Sequence, residues 1–390
     1  MADRSERPYQ QCTRCIVDTT VPGTTFDTQG QCSYCKLHDA MCEEYPNDER
    51  GKAMIEKFAE KIRRSGKNNK YDCVMGISGG RDSTYSLYLA KKEWGLRPLA
   101  VHFNDGFGNP QAGENMRKAT KALGIELRTI TSDWRESKDI KIAFLKASTP
   151  DMEEGTDLGI ASTLYGVASK ENVKYIVIGQ SFRTEGISPL EWNYLDGRYL
   201  KKVHQRFGTM QLREWQPDDP GFNLDVQHMF YYTILKRIRT VPLLYHYPYV
   251  RKEAEAIISK ELGWVYPGAH YYDDLYQSLM AYVFRVKFNI DRRKFNYSAL
   301  IRSGQMERER ALALIAEPYV IEDEKVINLC IKRLGITREQ FDEYVAAPPK
   351  TFRDYPSNYR LIRLARPAIK VCSLMHLLPK VAYDKYFKFG

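Results

Sequence analysis

Asp72-Cys73-Val74-Met75-Gly76-Ile77-Ser78-Gly79-Gly80-Arg81-Asp82-Ser83 decides the fold of this 390-residue chain. Asp72–Ile77 is a short apolar strand, and Thr84–Trp94 has helical spacing and stops at Gly95. Between them two glycines let the backbone turn tightly and approach a ligand with no Cβ in the way. Successive N–H groups followed by a helix N-terminus favour an anion. The hydroxyls of Ser78 and Ser83 can donate to phosphate oxygens. Asp82 can hold Mg2+, which prefers carboxylate and phosphate oxygens. The turn therefore reads as a pyrophosphate cradle, with Ser78, Gly79, Gly80, Arg81, Asp82 and Ser83 around the phosphates. It is no Walker A loop, because GxxxxGK[ST] is absent.

Outward from the cradle, strands and helices alternate. Leu99–Phe103 reads as a strand, Glu114–Leu123 as a helix closed by Gly124, and Ile125–Ile130 as a third strand. Leu158–Lys170 reads as a helix and Tyr175–Ile178 as a strand. This alternation predicts an α/β, Rossmann-like parallel sheet with helices on both faces. Ligands bind at the C-terminal edges of such strands. Gly179–Gly186 follows one of those edges. Its Arg183 can grip phosphate bidentately and its Glu185 can be a second Mg2+ ligand. A surface loop with an ion pair is the plain alternative. Asp291-Arg292-Arg293-Lys294 is a solvated charge run, or it closes over a triphosphate through Arg293 and Lys294.

Residues 1–42 are rich in cysteines and turns, and 43–70 form a charged connecting helix with Met54, Ile55, Phe58 and Ile62 on one side. The sheet domain is expected over 71–200. A mostly helical segment rich in Tyr and Arg, 201–320, completes the site, and 321–390 form a helical appendage. That appendage includes an apolar stretch, Cys372–Leu378, expected to dock on the body or a partner. Cys12-x-x-Cys15 and Cys32-x-x-Cys35 are two knuckles that present four thiolates to one tetrahedral ion. They predict a structural, zinc-ribbon-like Zn2+ site, with His38 and Cys42 as substitutes for one ligand. A four-thiolate shell leaves no position for water, and metal binding would supply on the order of 10 kcal/mol to a segment too short to bury its own core.

The formal net charge is +10 and 43% of residues are apolar, so a sizeable core is expected. No run of five Lys or Arg occurs, so the charge points to phosphorylated, acidic substrates more than to bulk nucleic acid. No apolar run approaches the ~20 residues of a membrane span. Met1–Gln11 is polar and lacks a signal-peptide core. Eight cysteines, four of them in knuckles, suit a reducing compartment. The expected location is cytoplasmic.

The cradle resembles that of the PP-loop ATP pyrophosphatases, the adenine nucleotide alpha hydrolase-like fold. The resemblance implies cleavage of ATP between its α- and β-phosphates and adenylation of a carbonyl or amide oxygen. A nitrogen or sulfur nucleophile then displaces AMP. It also implies that the edge formed by Val101, His102 and Phe103 holds adenine through backbone groups, which leaves His102 as a packing residue. A wider set of motifs resembles the N-acetyl sugar amidotransferase family of lipopolysaccharide biosynthesis. These are Cys12-x-x-Cys15-x-x-Asp18 and Phe26-Asp27-x-x-Gly30-x-Cys32-x-x-Cys35, then Ser78–Ser83, then Arg183-Thr184-Glu185-Gly186 with Pro189 and Trp192. Lys201-Lys202-x-His204 and Ile290–Lys294 leading to Ser303-Gly304-Gln305-Met306 complete the set, across residues 10 to 360.

That resemblance implies an ATP-dependent C–N ligase that turns an acetamido group on a nucleotide-linked sugar into an acetamidino group and releases AMP and pyrophosphate. Asp82, Arg183 and Glu185 would be catalytic, and Mg2+ would sit on Asp82 and Glu185. Ammonia would come from a separate glutaminase through a barrel protein, the two resembling imidazole-glycerol-phosphate synthase. No cysteine has the setting of a glutaminase nucleophile: residue 2 is Ala, Cys12 belongs to a knuckle, and Cys330 and Cys372 have no glycine within two positions. The main rival is a PP-loop enzyme that thiolates tRNA. Sulfur transfer calls for reactive thiols near the ATP site, and beyond the cradle only Cys330 and Cys372 remain. A synthetase for another amide or carboxylate and a non-catalytic nucleic-acid-binding zinc protein are the further alternatives.

Overall fold

The computed structural model describes residues 8–266, 274–320, 322–374, 383 and 386–387. Five parallel strands form one sheet in the order β3-β2-β1-β4-β5. They are β1 Cys73–Gly76, β2 Pro98–Asn104, β3 Leu127–Thr131, β4 Tyr175–Val177 and β5 Arg239–Val241. Val74 pairs with Leu99 on one side and Ile176 on the other. Side chains alternate across a strand, and the burial follows. Val74, Leu99, Val101 and Ile176 share one core, while Cys73, Met75, Ala100 and Val177 share another.

The N-terminal helices are α1 Ser33–Glu44 and α2 Glu49–Ser65. Then come α3 Arg81–Lys92, α4 Pro110–Leu123, α5 Trp134–Ala147 and α6 Glu154–Lys170. A single turn, α7 Phe182–Glu185, precedes α8 Gly197–Phe207, α9 Val226–Phe230 and α10 Arg251–Leu262. The first core is closed by Ile140 and Phe144 of α5, Leu164 and Val167 of α6, and Leu200 of α8. The second is closed by Ile62 of α2, Leu87 of α3, Met116 of α4 and Ile258 of α10. A third core joins the cysteine module to later helices. These are α11 Tyr276–Phe288, α12 Arg293–Arg302, α14 Glu324–Leu334 and α15 Arg338–Ala346; α13 Arg308–Ala316 lies between α12 and α14 in the chain.

The strand order reverses between β1 and β4. The chain winds outward from β1 to β2 and β3, then returns to the other side for β4 and β5. A crevice opens at such a switch point, beyond the strand C-termini. Both loops singled out in the sequence, 78–83 after β1 and 179–186 after β4, emerge there.

Several boundaries differ from the sequence reading, each for a local reason. The cradle is tighter than expected, because α3 starts at Arg81 with Gly80 as its N-cap. α4 starts four residues earlier than expected, since the Asn109 carboxamide caps it and Pro110 occupies its first position. β5 is a correction of larger consequence. It lies in the segment expected to be helical, so the sheet domain does not end near residue 200. Its three residues are too few to set a period. The appendage contains α14 and α15 and the helices Tyr359–Leu364 and Arg366–Leu374. The apolar stretch of 372–378 begins at the end of that last helix, and its part after Leu374 lies outside the described residues.

The cysteine module is fastened to α12 and α13 by half-buried cations. Lys294 Nζ lies 2.6 Å from Asp18, which is 1% exposed, and Ile16 N–H donates to Ser298 Oγ at 3.3 Å. Arg308 donates to the carbonyls of Cys15 and Cys12, each at 3.1 Å. The sequence placed Lys294 near the triphosphate; its ammonium is instead the latch of this module. Lys294→Ala should therefore lower stability by roughly 3 kcal/mol, because Asp18 is left buried and unpaired. ATP affinity should hold. Denaturant unfolding together with ATP titration checks this, and a loss of ATP affinity with stability intact returns Lys294 to the phosphates.

Candidate active site

Gly79 sets the cradle. Its φ is +81°, and a Cβ there would run into the Ala112 carbonyl oxygen of α4. Its own carbonyl accepts from the Trp264 indole at 3.0 Å and from Asn115 at 3.3 Å. Inside the turn the Ser78 N–H donates to Ser83 Oγ at 3.2 Å, and the Gly80 N–H to Ser78 Oγ at 3.3 Å. These two hydroxyls thus hold the turn in the shape that an arriving phosphate would take over.

The Arg81 guanidinium, expected at the phosphates, is engaged by the protein itself. It is 5% exposed, and its Nε–H is shared between Asp82 at 2.7 Å and the Tyr249 hydroxyl at 2.8 Å. Its Nη1 donates to Glu255 at 2.8 Å. The Tyr249 hydroxyl also donates to Asp82 Oδ1, and Thr184 donates to Oδ2 at 3.2 Å. Glu185, at the end of α7, lies beside the same carboxylate. Burial, and next the Asp82 charge, push the Glu185 carboxyl well above its ordinary range. Two carboxylates that share a buried site favour a cation between them.

Two cavities meet here. The first, of about 550 Å³, is lined by Ser78, Gly80, Asp82 and Ser83 of the cradle and by Val101, His102 and Phe103 of β2. His102 Nδ1 lies 3.1 Å from the Ile77 carbonyl, and burial lowers its pKa. It therefore packs as a neutral ring. The second, of about 410 Å³, is lined by residues of α1, α6, α7, α11 and α12 and by Trp192. Glu153, Asp157, Gln180, Glu185 and Asn193 line both and form the neck between them.

The neck is acidic. Burial, and then Glu153, push the Asp157 carboxyl up to about 7, against the Asn193 carboxamide that donates to it at 3.4 Å. Arg292 lies 3.7 Å from Glu153 and donates to Gln277 at 2.9 Å. Beside the first cavity the buried Lys141 pairs with Asp105 at 2.8 Å and donates to Thr156 at 2.7 Å.

The structure gathers some of the expected site residues and parts others. Ser78, Gly80, Arg81, Asp82, Ser83, Val101–Phe103 and Glu185 line one cavity, and Gly79 does not. Arg183 lines neither cavity. It is 4% exposed and donates to the carbonyls of Tyr45 and Tyr245, so it ties α7 to the segments after α1 and after β5. Arg293 chelates Asp291 and donates to the carbonyls of Leu314, Ile315 and Glu317, closing the end of α13. The cation of that charge run that faces the cavities is Arg292. Glu153, Asp157, Asn193 and Gln277 were missed. Glu153-Glu154-x-x-Asp157 reads in sequence as ordinary acidic capping of a helix start, and nothing local marks it as a cavity wall.

The four cysteines Cys12, Cys15, Cys32 and Cys35 are buried, with neighbouring sulfurs 3.6–3.8 Å apart. A tetrahedral ion with bonds of about 2.3 Å sets its ligand sulfurs about 3.8 Å apart, so the donor set fits one metal ion. The Cys15 and Cys32 N–H groups donate to Cys12 Sγ at 3.4 and 3.2 Å. His38 and Cys42, 3.7 Å from each other, stand outside this group.

Asp157 gives the site a pH signature. Its folded pKa, about 7, lies above the ordinary 3.8, so the folded chain binds the extra proton. The contribution to stability falls as pH rises through that interval and is fully spent above the folded value. Asp157→Asn should flatten the pH dependence of the melting temperature between pH 4 and about 7. An unchanged slope would mean that Asp157 titrates normally.

Comparison with known proteins places one part of the chain. Residues 269–366 match the family described as LPS biosynthesis protein WbpG-like, C-terminal domain. An uncharacterized protein of Methanocaldococcus jannaschii is 31% identical over 185 residues, which cover 45% of this chain and 64% of that protein. The chain thus spans 64% of the length of this curated relative. Similar solved structures include an NH3-dependent NAD synthetase from Campylobacter jejuni, at 14% identity, covering 77% of this chain and 98% of that one, TM-score 0.29. Another is a U34-tRNA thiolase from Methanococcus maripaludis with its 4Fe-4S cluster, at 14% identity, covering 85% and 100%, TM-score 0.32. Sheet order and strand direction, as described above, define the fold. Over residues 269–366 the chain is thus similar to the C-terminal domain of WbpG-like lipopolysaccharide-biosynthesis proteins.

Proposed function

We propose that this chain is the synthetase component of an ATP-dependent amidotransferase acting on a nucleotide-linked N-acetyl sugar. One observation carries the reading: the cradle, the paired carboxylates of Asp82 and Glu185, and the neck to a second cavity converge at one switch point. In this reading the backbone around Val101, His102 and Phe103 holds adenine. The cradle N–H groups with Ser78 and Ser83 hold the β- and γ-phosphates, which leaves the α-phosphate at the neck. Asp82 and Glu185 would hold Mg2+, which neutralises charge on the departing pyrophosphate. The acceptor's amide oxygen attacks the α-phosphorus and forms an O-adenylyl imidate while pyrophosphate leaves. Ammonia then adds at the imidate carbon and AMP departs. The protein's contribution is positioning and preset donors.

Among the described residues no cysteine lines either cavity. Cys330 donates to the Leu275 carbonyl at 3.4 Å, and burial pushes its thiol up to about 12. This favours nitrogen transfer over tRNA thiolation, which calls for a reactive thiol. Zn2+ is the metal proposed for the four thiolates, in a structural role. A separate glutaminase with a barrel partner is proposed as the ammonia source, and the cytoplasm as the place of reaction. No helix among the described residues is long and apolar enough to cross a membrane.

Incubation with acetamido nucleotide sugars, ATP, Mg2+ and ammonium at high pH should yield AMP, pyrophosphate and a product in which NH replaces oxygen, read by mass. ADP and phosphate as products would place cleavage at the wrong bond and end the proposal. Glu185→Gln and Asp82→Asn should each lower turnover by about 10²-fold or more with the fold intact. Glutamine alone should not support turnover; adding the partner pair should confer it. Glutamine use by the purified chain, free of contaminating glutaminase, would refute the separate ammonia source.

A further inference from the structure

The second cavity has a composition of its own. Part of its lining is aromatic: Trp192 lies edge-on to Phe295 at 5.0 Å, and Phe284 and Tyr245 also line it. The rest is polar. Three of its lining residues carry a buried polar atom with no hydrogen-bond partner among the described residues: Nε1 of Trp192, Oγ of Ser181 and Oε2 of Glu154. Their residues are 9%, 0% and 1% exposed. Buried polar atoms are almost always paired, so two donors and a carboxyl oxygen left over at one cavity call for a ligand with hydrogen-bonding groups of its own.

Charge narrows the class. Asp151, Glu153, Glu154, Asp157 and Glu185 line the cavity, against Arg292 as the basic residue among them. An anion is opposed there. A bare ammonium ion would leave most of the 410 Å³ and the aromatic lining unused. Burial, and then the Asp151 charge, hold the Glu154 carboxyl well above its ordinary range, so it reads a neutral hydroxyl better than a cation. Flat apolar faces with a few convergent polar groups suit a polyol whose C–H face lies on a ring.

We infer that this second chamber takes the uncharged, hydroxyl-bearing acetamido-sugar portion of the acceptor, with Trp192, Ser181 and Glu154 as its readers and its amide directed to the neck. The inference rests on the acceptor being an acetamido nucleotide sugar, and it adds where that acceptor sits and which residues select it.

Ser181→Ala and Trp192→Phe test it without emptying the core. Each removes a donor that has no partner in the free protein, so thermal stability should hold or rise. Binding would be measured by calorimetry, with Mg2+ and a non-hydrolysable ATP analogue present. The probes are UDP-N-acetylglucosamine, UDP-N-acetylgalactosamine and dTDP- and CMP-linked acetamido sugars. Wild type should bind at least one, and each variant should weaken it about tenfold while affinity for the ATP analogue stays within about twofold. Absence of wild-type binding to every probe, unchanged affinity in both variants, or a loss confined to the ATP analogue or to ammonium would each overturn the assignment. The two readings fail separately. Probe binding with the expected variant pattern but no AMP or pyrophosphate keeps the chamber and removes the adenylation. AMP and pyrophosphate formation with variant-insensitive sugar affinity does the reverse.

Discussion

Asp82 carries its carboxylate at 6% exposure, between Arg81 at 2.7 Å and the Tyr249 hydroxyl, with Glu185 facing it. A buried ion pair seldom stabilises a fold, because desolvation cancels most of the attraction. This one is satisfied on every side, since Arg81 also reaches Glu255 and Asp82 also accepts from Thr184. What it yields is position. Tyr249 lies just before α10, and Thr184 belongs to α7, so one carboxylate fixes the loops after β1 and β4 and the helix beyond β5. Loosening it would separate the cradle from Glu185, and the two halves of the crevice would no longer share a cation site.

The cysteine module bears on the same crevice at longer range. Its thiolates lie away from the cavities, but α1, which follows directly, contributes Met41 to the second cavity. Arg183 donates to the Tyr45 carbonyl at the end of α1, and Ser303 Oγ in turn donates to the Arg183 carbonyl at 2.8 Å. Lys294, Arg302 and Arg308 grip the module from α12 and α13; Arg302 Nη1 lies 3.7 Å from Cys15 Sγ. These contacts also account for part of the basic composition. Arg81, Arg183, Arg293, Lys294 and Arg308 are spent inside the molecule on carboxylates and helix-end carbonyls, where the planar guanidinium has donors to spare. A net charge of +10 thus coexists with an acidic crevice.

The legible part of this fold was the part with local causes. Glycines at 79 and 80 between an apolar strand and a helix have few other readings, and the paired CxxC knuckles have fewer. The Asp291–Lys294 run was legible as important and illegible in detail. Consecutive residues on a turn point in different directions, so Arg292, Arg293 and Lys294 went to the cavity, to a helix end and to the cysteine module in turn. Arg183 illustrates the same limit. Arg183-Thr184-Glu185 sits at the switch point, but the helical turn of α7 aims Thr184 and Glu185 at Asp82 and sends Arg183 the other way. Asp157 was out of reach for a different reason: its environment comes from Glu153, Asn193 and Arg292, set by three separate segments of chain.

If the proposed function holds, acid at the neck constrains how its two negatively charged substrates are accommodated side by side. Glu153, Asp157 and Glu185 together would repel a triphosphate approaching alone, and the low dielectric of a buried crevice strengthens that repulsion. Protons on Asp157 and Glu185 relieve part of it, and a divalent cation held with Asp82 relieves more. In the proposed reading free ATP is therefore disfavoured relative to its Mg2+ complex, and the cradle would select the form whose pyrophosphate leaves most easily. On the other side of the neck the same acids oppose a second phosphate group. An acceptor that carries a diphosphate must then keep it away from the neck and present only its neutral end. For the proposed acceptor, orientation would follow from charge before any hydroxyl is read, with the amide as the part left facing the α-phosphate.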